Sequence, residues 1–176
     1  MTESDVIAVL DVLDGAGVDV WIDGGWGVDA LLGRTTRQHA DLDLALDRRS
    51  LAVAVPALAH LGFQPDRSAL PGPPARVVLV DPGGRRLDLH PLVFDADGNG
   101  WQQLSTTGRA WGLYPARDLT ANGTIGGRPV RCISAALQVR FRLGYEWTAN
   151  DVHDLRVLAI AFGVASLPPG LRGEGE

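Results

Sequence analysis

The chain has 176 residues, of which 45% are hydrophobic and 21% are charged, and its formal net charge is −5. This composition excludes an intrinsically disordered chain and allows the buried core of one ordinary domain. The acidic balance argues against a long nucleic-acid partner, because such binding depends largely on basic groups that neutralise phosphates. A single nucleotide remains compatible, since a metal ion can deliver it to an acidic site.

Cysteine usage and the absence of a targeting pattern predict the cellular compartment. Cys132 has no second cysteine for an internal disulfide, which predicts a reducing cytoplasm and a buried, unreactive thiol. The stretch Met1–Asp5 is acidic and lacks the basic-then-apolar order of a signal peptide. No apolar run approaches the ~20 residues that span a bilayer. We therefore expect a cytoplasmic protein without a membrane partner.

Hydrophobic periodicity and capping residues predict the elements in chain order. The predicted helices run from the cap at Thr2–Asp5 to Gly15, over Trp26–Leu32, Ser50–His60 and Ala135–Leu143, and from Asn150 or Asp151 to about Gly163. The predicted strands are Asp19–Asp23, Asp41–Leu46, Val77–Val80 and Arg86–Val93, with a hairpin over Thr124–Val130. Pro56 should kink or break its helix. The Pro-rich stretch Phe63–Ala75 reads as irregular, and Trp101–Asn122 fits no single pattern.

These elements predict an α+β protein with a mixed β-sheet flanked by helices and a small, mainly helical C-terminal part. The predicted divisions are residues 1–93, residues 94–165 and a flexible tail over residues 166–176.

Two acids alternate with leucines in the strand at Asp41–Leu46. Side chains at i and i+2 of a strand share a face, so the Cα atoms of Asp41 and Asp43 should lie roughly 6–7 Å apart. Both carboxylates can then reach one Mg²⁺, a hard cation that completes its shell with phosphates and water. The alternative is that both acids merely face solvent, which a generic D-x-D pattern favours.

A third acid, Asp88, also alternates with leucines and shares a strand face with His90. If its strand lies beside Asp41–Leu46, three carboxylates converge and can hold two metal ions about 3.5–4 Å apart. The third acid can also accept a proton from an attacking hydroxyl. Such clustering is repulsive without a cation, so convergence itself implies metal. The alternative is a surface acid paired with Arg85 or Arg86.

A double glycine and a basic loop complete the candidate site. Gly24 and Gly25 let backbone N–H groups approach an anion, and a helix that begins at Trp26 adds its positive end. The alternative is a tight turn without a ligand. Arg37 and His39 lie in the loop before the paired acids and are candidates to cover a triphosphate. The alternatives are a solvated loop and a His39 that hydrogen-bonds within it.

Several other residues have open roles. Trp101, Trp111 and Tyr114 can stack on a base or on an apolar substrate, although core packing is the default for aromatic side chains. Asp151 opens the last helix, where we prefer a capping role to a substrate contact.

The combined pattern resembles a known family. The blocks Trp21–Gly33 and Arg37–Asp43 resemble the small lincosamide nucleotidyltransferases of the polymerase-β-type superfamily, in which an hGG turn precedes D-h-D and a later acid. The related aminoglycoside 2″-nucleotidyltransferases carry a similar block. Supporting matches are Leu87–Leu92, Cys132–Ser134 and Gly144–Glu146 leading to Asp151 and Asp154.

The resemblance implies an Mg²⁺-dependent enzyme that transfers a nucleoside monophosphate from an NTP, expected to be ATP, to an antibiotic hydroxyl. Asp41 and Asp43 match the metal-binding acids, with two ions expected, and Asp88 matches the acid that binds metal and acts as base. Gly24 and Gly25 match the phosphate turn. A lincosamide is the first acceptor implied; an aminoglycoside, another small molecule, protein or RNA are the alternatives. The resemblance also implies a homodimer, with residues 1–93 as catalytic core and residues 94–165 forming the acceptor site and dimer contacts.

Overall fold

The computed structural model describes residues 1–143 and 145–164, and in these residues helices pack around a mixed sheet. The strands are β1 (Val20–Ile22), β2 (Asp41–Asp47), β3 (Gln64–Pro65), β4 (Val77–Val80), β5 (Arg86–Phe94), β6 (Gly100–Gln103), β7 (Trp111–Tyr114), β8 (Asn122–Ile125) and β9 (Arg128–Arg131). The helices are α1 (Glu3–Gly15), α2 (Gly24–Leu32), α3 (Leu51–Ala59), α4 (Ala135–Phe141) and α5 (Ala149–Phe162). This architecture confirms the predicted α+β class.

The main sheet has seven strands in the order β1–β2–β5–β4–β3, with β6 paired to β5 and β7 paired to β6. Strands β2 and β5 run parallel, whereas the other pairs of this sheet are antiparallel. The hairpins β4–β5 and β8–β9 confirm those predicted from turn residues. The long β5 strand therefore lies next to the acid-bearing β2 strand at the centre of the sheet.

The alternating pattern of β2 and β5 divides the sheet into two faces. The largest apolar cluster, which includes residues of α1 and α3, fully buries Leu42, Leu44, Leu46, Leu87 and Leu89 of these strands. Burying each such side chain contributes about 2 kcal/mol. The alternate positions carry Asp41, Asp43 and Asp88 toward the opposite face. Helices α2, α4 and α5 form a separate apolar cluster with one another. The core thus fixes the direction in which the acids point.

Two helices differ from the prediction in detail. Helix α2 begins at Gly24, two residues before the predicted start, because the Asp23 side chain caps it by accepting a hydrogen bond from the Gly24 N–H. Helix α3 continues through Pro56 instead of breaking there. Pro56 and Ala52, whose carbonyl loses its helical donor, are both exposed, so water can satisfy that carbonyl.

The stretch that fitted no pattern contains β6, β7 and a short 3₁₀ turn at Ala116–Leu119. Strand β5 ends at Phe94, and β6 and β7 extend the same sheet, so residues on both sides of the predicted division at residue 93 share one sheet. That division stays a proposal about function. The predicted tail over residues 166–176 lies outside the described residues. Within the described ranges, no helix has the length and apolar character to cross a bilayer.

Candidate active site

The parallel pairing of β2 with β5 brings the predicted acids together. Asp43 and Asp88 are register partners, and Ala45 pairs with His90. Ligand atoms of Asp43, Asp88 and His90 lie within 4.8 Å of one another. Asp41 belongs to no such group in the described residues, but it lines the same cleft as Asp43. The structure therefore brings two of the three predicted acids into direct proximity and places the third on the cleft wall beside them.

His90 lies among the carboxylates. Its Nε2 is 3.8 Å from Asp43 Oδ1 and 3.7 Å from Asp88 Oδ1, and its Nδ1 is 3.5 Å from Asp23 Oδ2. Burial opposes the charged imidazole, but the Asp23 contact and the surrounding carboxylates outweigh it and raise the pKa of His90 to about 9. A positive imidazole thus partly neutralises the acids.

Burial and mutual repulsion dominate the electrostatics of the acids. Burial, together with the carboxylates of Asp41, Asp23 and Asp88, raises the pKa of Asp43 to about 7. Burial also raises the pKa of Asp88, and the neighbouring His90 and Arg76 offset this only in part. Both carboxyl groups therefore hold protons more tightly than ordinary aspartates do. A nearby cation would stabilise their ionised forms, and a carboxylate with a raised pKa is a better proton acceptor.

The residues fit a divalent cation. Asp88 Oδ1 is buried and has no hydrogen-bond partner among the described residues, while Asp88 Oδ2 is 2.9 Å from an Arg76 guanidinium nitrogen. The unpartnered oxygen is 3.7 Å from His90 Nε2, which is itself 3.8 Å from Asp43 Oδ1, so it is available to complete a metal shell at this cluster. Carboxylate oxygens are the ligands that Mg²⁺ prefers, whereas the His90 nitrogens do not suit this hard cation.

The N-terminus of α2 packs against Asp43 through its glycines. A Cβ at Gly24 would lie 2.0 Å from Asp43 Oδ2, and Gly24 also has a left-handed φ of +59°. A Cβ at Gly25 would lie 2.3 Å from Arg37 Nη2 and 2.5 Å from His39 Nδ1. The two glycines are thus the first residues of a helix whose positive end meets both the acids and the basic loop.

The basic loop is fixed by buried contacts. Arg37 forms a two-pronged ion pair with Asp154 of α5, at 2.8 Å for both contacts. His39 Nε2 is 2.5 Å from Asp29 Oδ2 of α2, and its ring packs on Trp26 with 4.4 Å between ring centroids. The His39 side chain therefore hydrogen-bonds to helix α2 and not within its own loop, and its Nδ1 lies close to Gly25.

A cleft of about 870 Å³ joins these parts. One wall is built from α2, β2, β5 and the chain segments that precede α2 and β2, and it carries Asp23, Gly24, Gly25, Arg37, Asp41, Asp43 and His90. The opposite wall is built from β6, β7, α4, α5 and the segment between these helices, and contributes Gln102, Leu104, Leu113, Tyr114, Arg140, Phe141, Arg142, Leu143 and Tyr145. The cleft is large enough for a nucleotide and a second small molecule to lie side by side, next to Asp41 and Asp43.

Tyr114 is buried where the two walls meet. Its hydroxyl lies 3.1 Å from Asp23 Oδ2, 3.0 Å from Gln102 Oε1 and 3.3 Å from His90 Nδ1. Burial and the Asp23 carboxylate raise the Tyr114 pKa well above its ordinary value, so the group stays a neutral donor. Tyr114 thus connects the acid cluster to the β6–β7 hairpin.

The remaining candidates have mainly local contacts. Asp151 caps α5 together with Thr148, as preferred from the sequence. Trp101 and Trp111 are partly exposed and direct their indole nitrogens to Asp95 and Gly108, neighbours in the chain.

The sequence reasoning missed Asp23, Arg76 and Arg142. A usable signal existed for Asp23, because an Asp between a strand and a helix is a preferred N-cap. Arg76 and Arg142 reach the site through pairings that no local pattern encodes.

A mixed sheet that carries paired carboxylates beside a glycine-started helix is the arrangement of a nucleotidyltransferase, and this protein is an enzyme of that class. The sequence profile of the aminoglycoside-2″-adenylyltransferase family matches residues 5–158, and the chain belongs to that family.

Individual relatives include enzymes for two antibiotic classes. The lincosamide resistance protein of Staphylococcus haemolyticus is 29% identical, covering 90% of this chain and 94% of the relative. A 2″-aminoglycoside nucleotidyltransferase of Escherichia coli is 34% identical, covering 72% of this chain and 64% of that protein. The crystal structure of the lincosamide antibiotic adenylyltransferase LnuA with lincomycin bound has a TM-score of 0.77 at 28% identity, covering 90% of this chain and 96% of that one. These matches confirm the resemblance to lincosamide nucleotidyltransferases.

Proposed function

We propose that the enzyme transfers AMP from ATP to a hydroxyl group of a lincosamide and thereby inactivates the antibiotic. The observation that carries this proposal is the extent of the matches. The chain covers 94% of the lincosamide resistance protein but 64% of the aminoglycoside enzyme from Escherichia coli. The lincosamide match therefore extends over nearly the whole relative, including the part that would bind the acceptor.

The character of the outer cleft wall supports the same acceptor class. Leu104, Leu113 and Phe141 provide an apolar surface, beside which arginines and carboxylates of both signs of charge lie. Aminoglycosides are polar, carry several protonated amines and have little apolar surface to bury against such a wall. A lincosamide combines an apolar alkyl-proline unit with a hydroxylated thiosugar and carries one amine. An apolar wall above an acidic floor is therefore better matched to the lincosamide.

Asp41, Asp43 and Asp88 would hold Mg²⁺, with two ions expected for three carboxylates. When bound, the metal would neutralise phosphate charge and lower the pKa of nearby oxygen ligands. Asp88 is the proposed general base, because Oδ1 lacks a partner in the described residues and burial raises its pKa.

The proposed reaction is an in-line displacement at phosphorus. The acceptor hydroxyl oxygen forms a bond to the α-phosphorus and gives its proton to Asp88. The bond between the α-phosphorus and the bridging oxygen breaks, and the electron pair leaves with pyrophosphate. Gly24 and Gly25 would bring backbone N–H groups to the phosphates. Arg37 and the free Nδ1 face of His39 would contact the same phosphates.

We also propose a cytoplasmic homodimer. ATP and a reduced, buried Cys132 fit that compartment. The dimer follows from the family resemblance, and light scattering of the purified protein measures it directly.

An antibiotic screen tests the proposed function. Purified protein and MgATP are incubated in separate reactions with lincomycin, with clindamycin and with each of several aminoglycosides. The masses of the products are then measured by mass spectrometry. The proposal expects lincosamide products heavier by one AMP group and no aminoglycoside product. Modification of aminoglycosides alone would transfer the assignment to the other antibiotic class. Absence of any antibiotic product while MgATP binds would overturn it.

A further inference from the structure

One buried carboxylate of α5 holds two arginines at the cleft. Asp154 Oδ1 and Oδ2 accept hydrogen bonds from Arg37 Nε and Nη2, and Oδ2 also accepts one from Arg142 Nη2 at 2.9 Å. Asp154 is 1% exposed and Arg142 is 6% exposed. Because both guanidinium groups meet at Oδ2, the two cations are neighbours in a nearly dry environment.

This arginine pair lies at the positive end of α2. Arg37 Nη2 is directed at Gly25, where a Cβ would lie 2.3 Å from it. The first N–H groups of a helix have no intrahelical acceptor, and Asp23 satisfies only that of Gly24 in this way. Gly25, Arg37, Arg142 and Asp154 all line the cleft that contains the acids. Backbone and side-chain donors therefore converge on one region.

The pair retains unused hydrogen-bond donors. Each guanidinium carries five N–H groups, and the Arg142 Nη1 contacts go to the Gln138 carbonyl and side-chain oxygens. Arg142 Nε is buried without a hydrogen-bond partner among the described residues. Arg142 Nε lies 3.7 Å from Asp151 Oδ1, which is within ion-pair distance but too long for a hydrogen bond, and Asp151 accepts hydrogen bonds from Thr148 and Tyr145. A buried donor without an acceptor is costly and leaves the guanidinium charge less compensated. Because Nε itself is buried, an anion in the cleft would meet Arg142 at the part of its side chain that lines the cleft.

We propose that Arg37 and Arg142, held in place by Asp154, form the subsite for the pyrophosphate portion of the nucleotide. Asp154 is the positioning residue, and Arg142 is the cleft residue that contacts phosphate oxygens. The inference deepens the proposed function, since it rests on an NTP as cosubstrate. As the bond at the α-phosphorus breaks, negative charge grows on the departing bridging oxygen and the pyrophosphate, where preorganised guanidinium groups stabilise it.

Inorganic pyrophosphate is the probe for this subsite. Calorimetric titration into the full chain with constant MgCl₂ and no antibiotic measures its affinity for wild type, Arg37→Gln, Arg142→Gln and Arg156→Gln. Arg156 is an exposed residue two positions after Asp154, so its variant removes the same charge from the same helix outside the cleft. We expect losses of about 10- to 100-fold for the Arg37 and Arg142 variants and no change for Arg156→Gln. Equal losses in all three, or wild-type affinity in folded Arg142→Gln, would overturn the proposal.

Two further variants keep the test decisive. If Arg142→Gln does not fold, Arg142→Lys retains the charge without the fork of donors and should bind pyrophosphate more weakly than wild type; unchanged affinity contradicts the subsite. Asp154→Asn makes the cleft more positive, so a purely electrostatic role predicts tighter binding. A positioning role predicts weaker binding of both pyrophosphate and MgATP in the same calorimetric titration. Because no antibiotic is present, these outcomes are independent of whether lincomycin is the acceptor.

Discussion

Asp43 on β2 and Asp88 on β5 are direct partners in a parallel strand pair, so their carboxylates leave adjacent strands on the same face of the sheet. The leucines on either side of each acid are fully buried on the other face and prevent the strands from rotating or slipping. The acids are thus placed by the apolar core and not by their own repulsive contacts. The two carboxylates repel each other when both are ionised, and a bound cation would reduce this repulsion.

The repulsion between these carboxylates predicts that the stabilisation of the protein by magnesium depends on pH. The pKa of Asp43 is raised from 3.8 to about 7, so between these values the folded state holds a proton that the unfolded state lacks. Metal-free stability should therefore fall as pH rises through this window. Magnesium binds the ionised carboxylate, so the Tm increase caused by MgCl₂ should be small at about pH 6 and larger at about pH 8. Thermal unfolding at both pH values measures it.

The control for the magnesium response is Asp43→Asn, which removes both the titration and a ligand. Its Tm should respond little to MgCl₂ at either pH. An equal magnesium effect at both pH values in the wild type would argue against Asp43 as a metal ligand.

Gly24→Ala should damage the site through packing. The new Cβ would lie 2.0 Å from Asp43 Oδ2, at a residue with φ of +59°. The left-handed backbone alone costs about 1–2 kcal/mol for a non-glycine residue, and Asp43 must also move. We expect lower stability in urea unfolding and a loss of the magnesium-induced Tm increase.

Gly15→Ala is the matched control for the glycine substitution. Gly15 lies in α1, and a Cβ there meets no atom within 4 Å. Alanine is favoured over glycine inside a helix by roughly 0.5–1 kcal/mol. This variant should be as stable as wild type or more so, with normal magnesium response. If Gly24→Ala also kept wild-type stability and a normal magnesium response, the proposed close packing of Gly24 against Asp43 would be contradicted.

Asp29→Asn should destabilise the basic loop. Asp29 is 2% exposed and accepts hydrogen bonds from the Thr36 hydroxyl and backbone N–H, and its other oxygen contacts His39. An amide cannot accept at both positions, so the His39 contact survives only if the imidazole changes tautomer and accepts from the new amide N–H; the charge of the buried carboxylate is lost in either case. We expect a loss of about 2–3 kcal/mol in the free energy of unfolding.

Asp19→Asn provides the comparison for Asp29. Asp19 pairs with Arg131, but its side chain is 74% exposed, and exposed ion pairs contribute little. Urea unfolding should separate the two variants clearly. Comparable effects would mean that the contacts of Asp29 do not stabilise the loop.

Features that depend on a local residue pattern could be predicted from the sequence, whereas features that depend on pairing between distant residues could not. The strands around Asp43 and Asp88 were predictable because alternation with leucine is a period-two signal. Their parallel adjacency was only conditional, since register depends on residues far apart in the chain. The ion pair of Arg37 with Asp154 spans 117 positions, and no local pattern links them. Strands β6 and β7 are four residues each, too short for a clear periodicity.

The role of Asp88 in nucleotidyl transfer is tested most directly by the rate of AMP transfer to lincomycin in Asp88→Asn. The amide keeps the size of the side chain but cannot accept the hydroxyl proton. At saturating MgATP we predict a rate about 10²- to 10⁴-fold below wild type, with MgATP affinity measured by calorimetry largely retained. A near-normal transfer rate in this variant would contradict the assignment of Asp88 as the base.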